Sequence, residues 1–273
     1  MLLILKFLLI FRILSAKISI ISWRLSLSRQ KGIVMEKKSE IFFILGCGSS
    51  INSLSNEEID IINKSDSVGI NLFIAHKQIN PTYYSVEVSD SGDDGKVQNS
   101  KLFSRLLKNK VLKQGNFKFL TSPENWPTLQ RMIPDIRNYG EVNFVKQVGI
   151  PGRSIKFFSK LHQFAVSRSI KRLLSPGMTF GKNASVVALV YFGILRGYKN
   201  IVLCGVDLTS EYFWEGKSGT LKYPDCKYFV NMHKSHSTSH KTDLTPLPVS
   251  QVLSAINNSS VARSFGWQNL LLN

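Results

Sequence analysis

An α/β fold with a mostly parallel sheet is what this chain of 273 residues predicts. The first sign is the stretch 183–207, NASVVALVYFGILRGYKNIVLCGVD. Asn183 or Ser185 can cap a helix, apolar Val186, Val187, Leu189, Val190, Phe192 and Ile194 continue it, and Gly197 supplies the stop. The continuous apolar run 201–206 then suits a parallel strand buried on both faces, with the acid Asp207 just beyond it. The second sign is that the runs 41–45, 67–70 and 83–88 also end in small polar residues: Gly46 to Ser50, Asn71, and Ser89 with Asp90. The third is that helical patterns alternate with these runs, the order expected of an α/β chain.

The elements follow in order. Segment 1–34 is apolar and basic, but Lys6 and Arg12 cut its apolar runs well short of the roughly 20 residues a membrane span needs. It also lacks the small-residue cleavage site of a signal peptide. Two readings stay open, a helix lying in a membrane interface and a translation start at Met35, where MEKKSEIFFILGCG begins as an α/β domain would. The second is preferred. Residues 55–63 form a short helix with a capping Ser55 and acids in its first turn. The stretch DSGDDG, 90–95, lacks the spacing and terminal Glu of a calcium loop and reads as solvated. A basic helix is expected at 101–113, a strand at 117–120, an irregular insert at 123–139 and a strand at 142–148. One long helix is expected over 154–174, with Phe157, Phe158, Leu161, Phe164, Ala165 and Leu173 inward. A closing helix at 246–256 and a strand within 261–267 complete the chain. The organisation is thus an extension at 1–34, an α/β nucleotide-binding domain at 35–208, a loop at 209–245 and a C-terminal helix and strand at 246–273.

Composition narrows the function. With 43% hydrophobic residues the chain can fill a core, and its three cysteines without CxxC spacing fit reduced thiols rather than a disulfide framework. The net charge of +17 is uneven: residues 1–34 hold six Lys/Arg and no acid, and the remainder holds 29 basic against 18 acidic residues. Such a surface favours anionic partners, whether nucleotide phosphates, acidic lipids or nucleic acid. No nucleic-acid motif accompanies it.

Candidate site residues cluster at strand ends, where open α/β sheets bind ligands. The turn Gly46, Cys47, Gly48, Ser49, Ser50 has a GxG start, but Ile51 stands where a dinucleotide fingerprint needs its third glycine, and no P-loop Lys-Ser/Thr follows. Its serines and amides could still hold a phosphate or ribose. After Asp207 comes a long loop rich in aromatics and carrying His233, His236 and His240. Their spacing fits no standard zinc frame, so no metal is expected, and a general base is the better functional role for a histidine here.

Taken together, ILGCGSSI, VGINLFI, NASVVALVYFGILRGYKNIVLCGVDL and HSTSHKTDLTPL resemble the bacterial sialyltransferases of glycosyltransferase family 42. More distantly, the chain is similar to motility-associated glycosyltransferases that share a Rossmann-like domain. The resemblance implies a Rossmann-like sheet with helices on both faces and a smaller C-terminal lid. It also implies inverting, metal-independent transfer from a CMP-sugar, with no cofactor besides that donor. Carried over, it places Gly46, Gly48, Ser49, Asn71 and Ser185 near the nucleotide; Ser50, Asn183 and Asp207 join the same rim by their own places at a strand end or helix start. Tyr212 would donate to the leaving phosphate, and His236 or His240 would be the base. The expected partners are a nucleotide-sugar donor and a glycan or lipid-linked acceptor of the bacterial surface. An acidic membrane face and self-association are further candidates, nucleic acid is not, and a cytoplasmic location is expected. Two other readings remain, an ATP-dependent pterin-type pyrophosphokinase on a related fold and a non-catalytic nucleotide-binding or nucleic-acid-binding protein.

Overall fold

A computed structural model describes residues 1–26, 37–86, 103–110, 117–152, 154–174, 177–182, 184–207, 212, 213, 223, 247–258 and 269–272. Its helices are α1 (Leu2–Ser26), α2 (Asn56–Lys64), α3 (103–110), α4 (Trp126–Met132), α5 (Ile136–Tyr139), α6 (Ile155–Ala165), α7 (Arg168–Leu173), α8 (Ser185–Leu195) and α9 (Val249–Asn257). Its strands are β1 (Ile41–Leu45), β2 (Asp66–Ile70), β3 (Tyr83–Ser85), β4 (Phe117–Thr121), β5 (Gly140–Phe144), β6 (Lys146–Gly149), β7 (Met178–Gly181), β8 (Asn200–Cys204) and β9 (Asn269–Leu272). Seven strands form one sheet in the order β5-β4-β3-β2-β1-β8-β9, while β6 and β7 pair separately and in parallel. Within the larger sheet β1 to β4 pair parallel in sequence order. The fold is therefore α/β with a mostly parallel, Rossmann-like sheet.

Two compact units divide these elements. One comprises residues 42–143, 202–240 and 272–273, and the other 1–41, 144–201 and 241–271. In the first, β1 and β2 read as buried runs because both faces of the sheet are covered at these strands: Phe42, Ile44, Leu45 and Val68 are inaccessible to solvent. Helix α2 begins with a full capping box. Ser55 Oγ accepts from the Glu58 amide at 3.2 Å, and the Glu58 carboxylate accepts from the Ser55 amide at 2.7 Å. Ser55→Ala should lower stability by about 1 kcal/mol, as measured by urea unfolding, because the orphan amide of the first turn loses its acceptor.

In the second unit, α8 forms the core. Every residue from Val186 to Ile194 is buried, and the helix packs on β7, where Thr179 Oγ1 donates to the Ala188 carbonyl at 2.8 Å. Helix α9 packs on α6 and α8, and α1 packs on β6 and α6. Arg12 holds α1 in place by donating to the Gly149 carbonyl at 2.8 Å, and Lys6 lies over the Phe164 ring. Among the described residues no helix is long and apolar enough to cross a membrane.

Several elements differ from the sequence expectation. The insert at 123–139 contains α4 and α5, because Pro127 near the start of α4 is compatible with a first turn. The long helix at 154–174 is two helices: Val166 ends α6, and Ser167 caps α7 by accepting from the Ile170 amide. The run 142–148 splits into β5 and β6. Strand β7, four buried residues ending in glycine, has no sequence expectation behind it. The cap of α8 is Ala184, which offers no side-chain acceptor, and Ser185 is the first helical residue. The expected strand at 261–267 lies outside the described residues.

Candidate functional site

The site begins where β1 and β8 end side by side. Gly46 donates its amide to the Cys204 carbonyl at 2.8 Å, and Gly48 donates to the Gly205 carbonyl at 2.7 Å. A β-carbon on Gly46 would press into the Gly205 carbonyl, and one on Gly48 would overlap the Asp207 carboxylate. Glycine is therefore required at this crossing because two backbones touch there. Gly205, at φ 66, turns the chain out of β8 in a conformation that suits only glycine well.

Asp207 then points back at the β1 turn. Its carboxylate accepts from the Ser50 amide at 2.8 Å and from the Ser50 hydroxyl. The amides of Gly46, Gly48 and Ser50 are thus engaged within the protein, and a negative charge stands among them. That electrostatic setting favours a neutral hydroxyl-bearing group over a phosphate beside Gly48. Ser49, half-buried, opens the short 3₁₀ turn Ser49–Ser53 behind it.

Asn71 approaches from β2. The Cys47 thiol donates to the Ile70 carbonyl at 3.4 Å, so the residue after Ile70 sits beside the β1 turn. Asn71 has φ 50, the one non-glycine in the left-handed region among the described residues. Asparagine tolerates that region better than most residues, and backbone strain of this kind concentrates at binding sites.

Tyr212 and Phe213 enter from the segment after Asp207. Tyr212 bridges Gly48 in antiparallel fashion and is half-buried, while Phe213 donates its amide to the Cys47 carbonyl at 2.9 Å. Asn52 adds a bond from its side-chain amide to the Phe213 carbonyl at 2.8 Å. Beneath them, buried Phe213 sits in a cluster with Phe73, His76 and Tyr223 at ring distances of 5.1 to 5.9 Å. His76 is buried with them, and its Nδ1 accepts from the Ile79 amide at 3.1 Å. It is therefore a packing histidine.

A half-open cleft of about 210 Å³ adjoins the turn, lined by Ser50, Ile51, Leu54, Glu58 and Gly205 among others. This is below the ~300–1,000 Å³ usual for small-molecule sites, so a nucleotide bound here must extend past it. Cys204 also borders the cleft. Burial, aided by the negative charge of Glu58, pushes its thiol up to about 12, so it stays protonated and unreactive at neutral pH.

Gly46, Gly48, Ser49, Ser50, Asn71, Asp207 and Tyr212 therefore gather around one end of the sheet. Ser185 belongs to the other compact unit at the start of α8. Asn183, Ser89, Asp90 and the histidines His233, His236 and His240 lie outside the described residues. Among the described residues no cluster of His, Cys, Asp and Glu could hold a metal ion. Sequence reasoning missed Asn52, Phe213 and His76. An isolated asparagine or a lone histidine carries no spacing signal, and the aromatics of 209–243 gave no hint which one is the anchor.

No family model matches the chain, and no curated protein does. A solved structure does match: a Maf glycosyltransferase from Magnetospirillum magneticum AMB-1, with a TM-score of 0.34 and 14% identity over 66% of this chain. The match spans 24% of that protein. So remote a likeness carries no argument about activity. The resemblance to glycosyltransferase family 42 is matched by no family model and no curated protein.

Proposed function

We propose that this chain is a glycosyltransferase that takes a sialic-acid-like sugar from a CMP-activated donor and passes it to a bacterial surface glycan such as lipooligosaccharide or capsule. The observation that carries the reading is the rim where Asp207, tied to Ser50, and Tyr212, bridged to Gly48, converge at the carboxyl ends of β1 and β8. Asp207 suits a ribose hydroxyl, which can donate to its carboxylate. The Tyr212 phenol is the group to donate to the phosphate as it leaves, offsetting developing charge without a metal. His236 or His240 takes the acceptor hydroxyl proton, as the four-segment resemblance suggests, and transfer inverts the anomeric centre.

Thermal shift with CMP, UDP, GDP and ATP tests the donor class, because stabilisation follows affinity. CMP should raise the melting temperature, and Asp207→Asn should weaken that binding about tenfold, roughly 1.4 kcal/mol. Donor hydrolysis and transfer in EDTA then test the chemistry. Tyr212→Phe should lower kcat by about 10²-fold, and one of His236→Ala and His240→Ala should lower it by about 10²–10⁴-fold. Stabilisation by ATP alone, with magnesium-dependent diphosphate transfer, would replace this reading with a pyrophosphokinase. Undiminished turnover in all three variants would sink the assigned mechanism.

A further inference from the structure

Helix α1 carries apolar residues all round, but the protein covers only one side of it. Leu9, Ile13, Ala16 and Ile20 are 0 to 9% exposed and face β6 and α6. On the opposite side Leu3, Phe7, Phe11, Leu14, Ile18 and Ile21 are 46 to 69% exposed. Their spacing of three and four residues lines them up along one face. From Leu3 to Ile21 that stripe runs about 27 Å at 1.5 Å per residue. Exposed apolar patches of this extent mark a surface made for a partner.

Charge selects the partner. Helix α1 contains Lys6, Arg12, Lys17 and Arg24 and no acid. At about 100° per residue Lys6 and Lys17 fall on one margin of the exposed stripe, whereas Arg12 lies nearer the packed side, where it bonds the Gly149 carbonyl. The compact unit to which α1 belongs holds 20 Lys and Arg against three acids, Glu36, Glu40 and Asp243, whereas the other unit balances 15 against 15. All of the net charge of +17 therefore resides in the unit that presents the apolar stripe.

We infer that α1 docks this unit onto an anionic lipid surface, lying in the plane of the interface with the stripe among the acyl chains and the flanking cations at the headgroups. This geometry suits a helix with a basic margin and an apolar outer face. Two copies joined through the same stripe would set cations against cations, with no acid in α1 to relieve them. Nucleic acid would leave the apolar stripe with nothing to cover it. The inference rests on α1 and the charge of its unit and is independent of the glycosyl-transfer reading.

Sedimentation of the full chain with phosphatidylglycerol–phosphatidylcholine vesicles and with pure phosphatidylcholine vesicles tests it. Binding to the anionic vesicles should exceed binding to the neutral ones at least tenfold. The double variant Phe7→Glu, Phe11→Glu should lose at least tenfold in vesicle binding while keeping the wild-type melting temperature, since both side chains already face outward. Lys17→Glu should weaken binding to anionic vesicles and leave binding to neutral ones unchanged. Equal binding of wild type and double variant to anionic vesicles would overturn the inference. So would a dimer in solution that the double variant dissolves, or salt-sensitive binding to RNA in place of vesicles.

Discussion

Gly46→Ala should destabilise the protein by about 3 kcal/mol or more, read as a fall in the urea midpoint at unchanged slope. The added methyl would meet the Gly205 carbonyl carbon at 2.9 Å and Val206 Cγ2 at 3.0 Å, besides pressing on the Gly205 oxygen. A flexible side chain could swing away, but a backbone carbonyl tied on both sides cannot. The Gly205 oxygen accepts from the Gly48 amide at 2.7 Å, and the Gly46 amide is itself bonded to Cys204. Relief would therefore require separating the ends of β1 and β8, with loss of both bonds. Gly197→Ala is the informative control. A β-carbon there has nothing within 4 Å, and only its φ of 79 opposes the change, so the cost should stay near 1 kcal/mol. Equal losses in the two variants would show that backbone conformation, and not crowding at the strand crossing, sets the requirement for glycine.

That crossing also shows how far sequence reasoning reaches. Runs such as IFFIL and NIVLC announce buried strands because a parallel strand covered on both faces has no reason to alternate polar and apolar residues. Helix α8 is legible for the same reason. What the letters cannot display is the neighbour: Gly46 and Gly48 suggest a phosphate turn, yet the group that approaches them is the protein's own chain at Gly205 and Asp207. The contact of Asp207 with Ser50 joins residues 157 apart in sequence, which no local pattern encodes. Short elements escape for another reason. β7 is too brief to show a period, and the break between α6 and α7 depends on Ser167 turning inward as a cap in the middle of an otherwise helical pattern. Tyr212 was legible as a candidate, but its place depends on the burial of its neighbour Phe213.

Stability should fall steeply below about pH 6.5, and His162 is the cause. The sequence shows it only as one polar position on the apolar face of α6. In the fold it is fully buried, with its Nδ1 2.7 Å from the Tyr191 hydroxyl, close to the Phe158 ring, and with its Nε2 lacking a hydrogen-bond partner among the described residues. Burial lowers its pKa from 6.5 to about 4, and burial also raises the Tyr191 phenol well above its usual value. The phenol therefore keeps its proton and can donate to Nδ1, which leaves the ring proton on Nε2. Above pH 6.5 the imidazole is neutral in both folded and unfolded chains and contributes no pH dependence. Between about 6.5 and about 4 the unfolded chain takes up a proton that the native state refuses. Stability then declines by ~1.4 kcal/mol per pH unit, on the order of 3 kcal/mol across the window. His162→Gln removes the titration while leaving an amide to bond Tyr191. It should cost stability at pH 7.5 through imperfect packing, yet its deficit relative to wild type should shrink as the pH is lowered towards 4. Urea unfolding of both proteins at pH 7.5, 6.0 and 4.5 checks this, and a constant difference between them would mean that His162 is not the group that titrates.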